Sequence, residues 1–149
     1  MIEAGTKAPD FSLPDQEGNE VSLSDFAGSK LVLVFYPLDF SPVCTDQLNL
    51  YQEVLGEIES QGTALVGVSV DSSYCHHAFR KALNLSMPLL ADFNPKGAVS
   101  KAYGAYIEGA GISNRALVLV EDGEVKWSYA APNPGEIPGA NLIFDALSA

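Results

Sequence analysis

An apolar run that stops abruptly at a proline sets the strongest limit on how this chain folds. Residues 31–36, LVLVFY, form a short continuous apolar run, which is typical of a strand buried on both faces. Pro37 ends the run because proline has no N–H to donate to a sheet ladder. Ser41-Pro42 then matches a helix start, with serine at the N-cap and proline at the first helical position. The sequence therefore predicts a strand, a short loop and a helix.

Cys44 lies in the first turn of that predicted helix. The first turn has unpaired N–H groups and the positive end of the helix dipole, and both favour a thiolate over a thiol. Since the thiolate is the nucleophilic form, the position predicts an activated cysteine. Position alone also allows a second interpretation, in which Cys44 is only a small apolar residue of the core.

Hydrophobic periodicity predicts that strands and helices alternate along the rest of the chain. Apolar residues at 48, 51, 55 and 58 indicate one face of a helix that ends near Ser60, and residues 64–70 form a second apolar strand. Such a strand–helix–strand unit is parallel, so Cys44 and residues 71–75 are expected at the same edge of the sheet. Other predicted elements are strands at 11–13, 20–23 and 88–91, helical segments at 23–28, 73–85, 95–103 and 140–147, a loop at 104–114, a hairpin of 116–120 with 124–129, and a stiff surface loop around Pro132, Pro134 and Pro138.

Length and composition limit the class of protein. At 149 residues with 47% hydrophobic content, we expect one domain covering residues 1–149. The net charge of −11 and the lack of a basic patch argue against nucleic acid and membrane surfaces as partners. Residues 1–10 lack a basic start followed by an apolar segment, so we expect no signal peptide and a cytoplasmic protein. Two cysteines in such a chain favour redox or catalytic use.

Pro37, Ser41 and Cys44 form the pattern P-x-x-x-S-x-x-C. This pattern resembles the active-site signature of the peroxiredoxins, the alkyl hydroperoxide reductase / thiol-specific antioxidant family. Blocks at residues 8–26, 67–72, 88–92, 100–104 and 113–125 also resemble segments of this family and occur in the family's order. The resemblance therefore covers nearly the whole chain. The short bacterial members are the most similar, including the one-cysteine and bacterioferritin-comigratory-protein-like types.

The resemblance implies a fold and an activity. The expected fold is α/β and thioredoxin-like, with an N-terminal β-strand addition of the peroxiredoxin type. The expected activity is a thiol-dependent peroxidase that reduces hydrogen peroxide and organic hydroperoxides through a cysteine sulfenic acid, with no cofactor and no metal. The expected partners are a thiol reductant, such as thioredoxin or a glutaredoxin-like protein, and a second copy of the chain in a homodimer.

The resemblance also assigns roles to four residues. Cys44 is the expected peroxidatic cysteine, and Arg115 is expected to hold its thiolate and the peroxide. Ser41, where the family more often has threonine, is expected to orient the peroxide, and Pro37 is expected to shield the site from water. From its place at the start of an apolar strand alone, Arg115 would be a solvent-exposed strand end.

Cys75 has two interpretations that the sequence leaves open. It is either a buried helix residue or the thiol that resolves oxidised Cys44, because both cysteines follow strands that end at one edge. The resolving cysteine five positions after the peroxidatic one, common in the family, is absent because Asn49 stands there. Cys75-His76-His77 does not predict a metal site, since neighbouring helix residues point in different directions.

Two other functions compete with a peroxidase. One is a thioredoxin-fold thiol-disulfide oxidoreductase, against which the sequence has Ser41, and not a cysteine, three positions before Cys44. The other is a non-enzymatic holdase or scaffold on the same fold. The joint presence of Pro37, Ser41, Cys44 and Arg115 argues against that possibility.

Overall fold

The computed structural model describes all 149 residues, Met1–Ala149. Its strands and helices follow the predicted order closely. The strands are β1 (Ser12–Pro14), β2 (Glu20–Ser22), β3 (Lys30–Phe35), β4 (Thr63–Ser69), β5 (Leu89–Ala91), β6 (Tyr106–Ile107), β7 (Ile112–Ser113), β8 (Ala116–Glu121) and β9 (Glu124–Ala130). The helices are α1 (Pro42–Glu59), α2 (Ser73–Leu83), α3 (Ala98–Ala102) and α4 (Ala140–Ser148), with a 3-10 turn at Leu23–Phe26.

A five-stranded sheet in the order β5-β4-β3-β8-β9 forms the centre of the fold. β3, β4 and β5 are parallel, whereas β8 pairs antiparallel with both β3 and β9. The predicted parallel β3–α1–β4 unit is therefore confirmed. Its consequence is that the segments after β3 and β4, which lead to Cys44 and Cys75, leave the sheet at the same edge.

The side chains of β3 alternate between two separate hydrophobic layers. Val32 and Val34 face the layer that includes α1, α2 and α4. Leu31, Leu33 and Phe35 face the other layer, which includes α3 and the N-terminal segment. Because successive strand residues point to opposite faces, one apolar run packs against both layers. Burying a side chain of this size stabilises the fold by about 1.5–3 kcal/mol, so β3 fixes both halves of the core.

Two local predictions differ from the structure because of glycines and turns. α3 starts at Ala98 and not at 95, since Gly97 has a left-handed backbone (φ 75°) that a helix interior does not accept. Residues 104–114, predicted as a loop, contain the short β6–β7 hairpin, in which the N–H groups of Ala110 and Gly111 donate to the carbonyl of Ile107. Strands of two residues are too short to show a periodicity.

The hairpin of β8 and β9 is confirmed, with Asp122 and Gly123 at its turn. Both residues have positive φ, 51° and 75°, as the tight hairpin turn that matches strand twist requires. None of the helices has the length and apolar character needed to cross a membrane.

Candidate active site

Cys44 lies in the first turn of α1 and is fully buried. Ser41 holds the N-cap position, and its carbonyl accepts from the N–H of Thr45 at 2.9 Å. Its hydroxyl does not cap the helix, however, because it donates to the carbonyl of Leu38 at 3.0 Å. The N–H groups of Val43 and Cys44 consequently bond to no other group of the protein. The predicted helix start is confirmed, and its donors remain free beside the Cys44 sulfur.

Arg115 directly precedes β8, and its Nη1 donates to Cys44 Sγ at 3.1 Å. The antiparallel register pairs Phe35 with Ala116, which brings the start of β8 beside the end of β3. Arg115 is only 3% exposed, so the expectation of a solvent-exposed strand end is wrong. A guanidinium at this distance places a positive charge and an N–H donor directly against the sulfur.

Gln47 is a further site residue that the sequence analysis missed. Arg115 Nη1 also donates to Gln47 Oε1 at 2.8 Å, and Gln47 is fully buried. Gln47 follows Cys44 by three positions on α1, so both side chains lie on the same helix face. The signal available in the sequence was the polar amide at residue 47, which lies among the apolar residues 44, 48 and 51 of one helix face.

The proline-containing loop at residues 132–138 contributes two backbone acceptors to the site. Arg115 Nε donates to the carbonyl of Pro134, and Tyr51 Oη donates to that of Pro138 at 2.6 Å. Burial raises the pKa of Tyr51 to about 12, so its hydroxyl stays protonated and acts as the donor. The Nε2 of Gln47 donates to the same hydroxyl at 3.4 Å. The loop thus helps to orient Arg115 through a backbone carbonyl, a role that side-chain patterns do not predict.

Pro37 and Cys75 occupy the two neighbouring segments at this sheet edge. Pro37 is buried and follows Tyr36, whose N–H makes the last bond to β4, donating to the carbonyl of Val68 at 3.1 Å. Cys75 lies in the first turn of α2 and is half-buried, and its N–H donates to the Ser72 hydroxyl at 3.2 Å.

Two carboxylates surround the thiol of Cys75. Ligand atoms of Asp39, Asp71 and Cys75 all lie within 4.8 Å of one another. Burial, followed by the charges of Asp39 and Asp71, raises the pKa of Cys75 to about 12. The surroundings of Cys75 therefore favour the thiol, whereas Cys44 lies against the Arg115 guanidinium with no carboxylate bonded to it.

These three groups could offer atoms to a metal ion, but they already bond to the protein. Both carboxylate oxygens of Asp39 are engaged, one with Tyr36 and the other with His76, and Asp71 accepts from the N–H of Asp39. The second histidine, His77, lies at the surface within 3.4 Å of Glu17.

Comparison with known proteins decides the family. Residues 4–128 match the AhpC/TSA family. The chain belongs to the AhpC/TSA family. It is 37% identical over 150 residues to alkyl hydroperoxide reductase E of Mycobacterium tuberculosis, covering 100% of this chain and 98% of that protein. It is also 37% identical over 128 residues to a thioredoxin peroxidase of Echinococcus granulosus, covering 79% and 65%.

Solved structures give the same result for the fold. The crystal structure of Enterococcus faecalis AhpC superimposes with a TM-score of 0.91 at 29% identity, covering 99% of this chain and 92% of that one. The predicted thioredoxin-like α/β fold is therefore confirmed, as is the resemblance to peroxiredoxins. This peroxiredoxin is a thiol-dependent peroxidase, an oxidoreductase that acts on peroxides, and neither the disulfide oxidoreductase nor the holdase is favoured.

Proposed function

We propose that Cys44 is the peroxidatic cysteine and that hydrogen peroxide and organic hydroperoxides are its substrates. The observation that carries the proposal is the contact between Arg115 Nη1 and Cys44 Sγ, a cation held against a buried sulfur. The Cys44 thiolate attacks the terminal oxygen of the peroxide, and the O–O bond breaks. Cys44 becomes a sulfenic acid, and the departing alkoxide or hydroxide takes a proton to leave as alcohol or water.

The surroundings of Cys44 supply donors for the oxygens of the bound peroxide. Arg115 and the free N–H groups of Val43 and Cys44 point charge and hydrogen bonds to where negative charge develops. The Ser41 hydroxyl already donates its hydrogen bond to the carbonyl of Leu38. Its oxygen can therefore accept a hydrogen bond from the O–H of the peroxide. Pro37 contributes an apolar, buried wall, and it has no N–H that would compete with these donors for the peroxide.

A thiol then reduces the sulfenic acid of Cys44. The name of the Echinococcus granulosus relative supports thioredoxin as the external reductant, and a glutaredoxin-like protein is the alternative. Cys75 is the internal candidate, because β3 and β4 are parallel neighbours and both cysteines follow their ends. We further propose that the protein is a cytoplasmic homodimer, whose size light scattering would measure.

Peroxide consumption in the presence of a thiol reductant tests the proposed function. The purified protein should consume hydrogen peroxide, and Cys44→Ser should lose this activity, because a serine hydroxyl is not ionised near neutral pH. Cys75→Ser is the matched control, since it removes the other thiol and leaves the first oxidation of Cys44 intact. Full turnover by the Cys44→Ser protein would contradict the assignment.

A further inference from the structure

The segment that joins β3 to the helix of Cys44, residues 37–41, contains one inward-facing charge. We call this segment the cysteine loop. Its Leu38 and Phe40 are 39% and 54% exposed, whereas Asp39 between them is only 8% exposed. A carboxylate is costly to bury without partners, so its contacts show what this loop is anchored to.

The side chain of Asp39 bonds to two fully buried residues from different elements. Tyr36, which follows β3, donates its hydroxyl to Oδ1, and Nδ1 of His76 in α2 lies 2.6 Å from Oδ2. Burial and then the Asp39 charge raise the pKa of Tyr36 well above its usual value, so Tyr36 stays a donor. Nε2 of His76 donates to the carbonyl of Leu90 in β5 at 3.0 Å. Through Tyr36 and His76, the Asp39 side chain thus connects the cysteine loop to the segment after β3, to α2 and to β5.

The backbone of Asp39 is held as well. Its N–H donates to Oδ2 of Asp71 at 2.7 Å, and the same oxygen accepts from the hydroxyl of Ser69 at 3.1 Å. The charged and titratable groups around Asp39 are therefore Tyr36, Asp71, Cys75 and His76. Of these, His76 is the one that links Asp39 to both α2 and β5, because its Nδ1 faces Asp39 Oδ2 and its Nε2 faces the Leu90 carbonyl.

The next residue of the cysteine loop has a backbone conformation that needs such support. Phe40 has φ 65°, in the left-handed region that a bulky side chain rarely adopts. Its ring rests on Phe79 of α2, with centroids 5.0 Å apart. The loop is strained between the anchored Asp39 and the start of α1, so release of Asp39 should let it relax outward.

We propose that Asp39 and His76 form a latch that keeps the cysteine loop closed over Cys44. This inference rests on the proposed peroxidase function. The closed state suits the reaction with peroxide, because Cys44 is buried beneath Arg115. A larger thiol must reach the same sulfur to reduce it: the sulfenic S–OH and the thiol S–H form an S–S bond and release water. The strength of the latch therefore sets how often oxidised Cys44 opens to a thiol, which makes Asp39 and His76 positioning residues.

Two tyrosines offer a matched pair of variants for the test. Tyr36→Phe removes the hydroxyl that bonds Asp39, whereas Tyr103→Phe removes the hydroxyl of another buried tyrosine, which donates to the carbonyl of Pro9 in the opposite layer of the core. His76→Gln and His76→Asn form a second pair. The asparagine amide keeps a donor near the position of Nδ1, towards Asp39, and the glutamine amide reaches the position of Nε2 and loses that bond.

The readout is the rate at which dimedone traps the sulfenic acid of Cys44 after one equivalent of hydrogen peroxide, in a Cys75→Ser background. Hydrogen bonds to charged groups are strong enough for their loss to shift an opening equilibrium by about tenfold or more. We expect trapping to accelerate about tenfold in His76→Gln and several-fold in Tyr36→Phe. Tyr103→Phe should match the parent, and His76→Asn should fall between the parent and His76→Gln.

Hydrogen exchange of the reduced proteins measures the latch without any peroxide chemistry. Residues 37–44 should exchange faster in Tyr36→Phe and His76→Gln than in Tyr103→Phe. The latch is wrong if both exchange and trapping in these two variants stay within twofold of Tyr103→Phe. If hydrogen peroxide fails to oxidise Cys44 in the parent protein, the proposed function is wrong, and the exchange comparison still decides whether Asp39 and His76 hold the loop.

Discussion

Arg115 and Cys44 are 71 residues apart in the chain, yet Nη1 of the first lies 3.1 Å from Sγ of the second. The same nitrogen donates to Gln47 and the neighbouring Nε to the carbonyl of Pro134. The guanidinium is therefore fixed before any substrate binds, by two side chains of α1 and one backbone carbonyl of the loop at 132–138. A donor oriented in advance costs no reorganisation during the reaction, which is why such groups contribute strongly to rate.

Replacing Arg115 by alanine should slow peroxide reduction by about 10²–10³-fold, the usual effect of losing one oriented charged donor. The free energy of unfolding should also fall by about 1–3 kcal/mol, because the buried Gln47 amide oxygen loses its partner. Stopped-flow measurement of the second-order rate with hydrogen peroxide and denaturant unfolding test the two effects. The other arginine provides the control: Arg80→Ala also removes bonds to backbone carbonyls, those of Ser86 and Met87, and should retain the rate. A wild-type rate for Arg115→Ala would make Arg115 purely structural.

Gln47→Met should reduce the rate with peroxide by about tenfold, because methionine fills the space but accepts no strong hydrogen bond from Arg115. Gln47→Glu should reduce the rate further near neutral pH, since a second anion competes with the Cys44 thiolate for the same nitrogen. Gln52→Met on the exposed side of α1 is the control, as Gln52 bonds only to Ser86. Equal rates for the Met and Glu variants at residue 47 would argue against this competition.

Alkylation of Cys75 should be slow and strongly pH-dependent. Its pKa is raised to about 12 by burial and by Asp39 and Asp71, so only roughly one thiol in 10⁴ is ionised at pH 8. Since a raised pKa delays ionisation, the rate should climb about tenfold per pH unit from 7 to 10. Iodoacetamide labelling of a Cys44→Ser protein, followed by mass spectrometry, measures this rate.

Asp71→Asn should speed that alkylation at every pH, because it removes one of the two carboxylates facing the thiol. The same protein unfolded in denaturant gives the reference rate of an unperturbed cysteine. A rate that levels off near pH 9 in the folded protein would show that the carboxylates do not control Cys75.

A Cys44–Cys75 disulfide should form only after Cys44 is oxidised and its helix turn partly unwinds. Cys44 is fully buried under Arg115 in α1, while Cys75 lies in α2 among carboxylates. The two are 31 positions apart in the sequence, a loop short enough to close readily. Mass spectrometry after one equivalent of peroxide, with alkylation and no reductant, should find the two peptides joined within one chain. A sulfenic or sulfinic Cys44 beside an alkylated Cys75 would instead indicate a one-cysteine mechanism.

The local sequence was sufficient for the elements that carry Cys44. A buried strand, a proline stop and a Ser-Pro helix start are each determined by neighbouring residues, so β3 and α1 agree with the prediction. The same holds for the hairpin at Asp122 and Gly123, whose turn depends on two residues alone.

Residue patterns alone do not predict the bonds around Cys44; the family resemblance implied the contact with Arg115, and only the tertiary structure decided the others. Arg115 reaches Cys44 because of the register between β3 and β8. That register cannot be predicted from a single sequence. Pro134 and Pro138 act through backbone carbonyls, which every residue possesses, so no residue type marks them. The Ser41 hydroxyl turned to Leu38, away from the helix, because a nearby carbonyl competed for it.

Asp39 shows the same limit most clearly. In the sequence it is one acidic residue in a loop, where an exposed side chain is the common outcome. Its burial depends on Tyr36 and His76, which meet it only when β3 and α2 pack side by side. Strand and helix patterns depend on neighbours in the chain, whereas the partner of a buried charge depends on neighbours in space, and only the folded structure defines those.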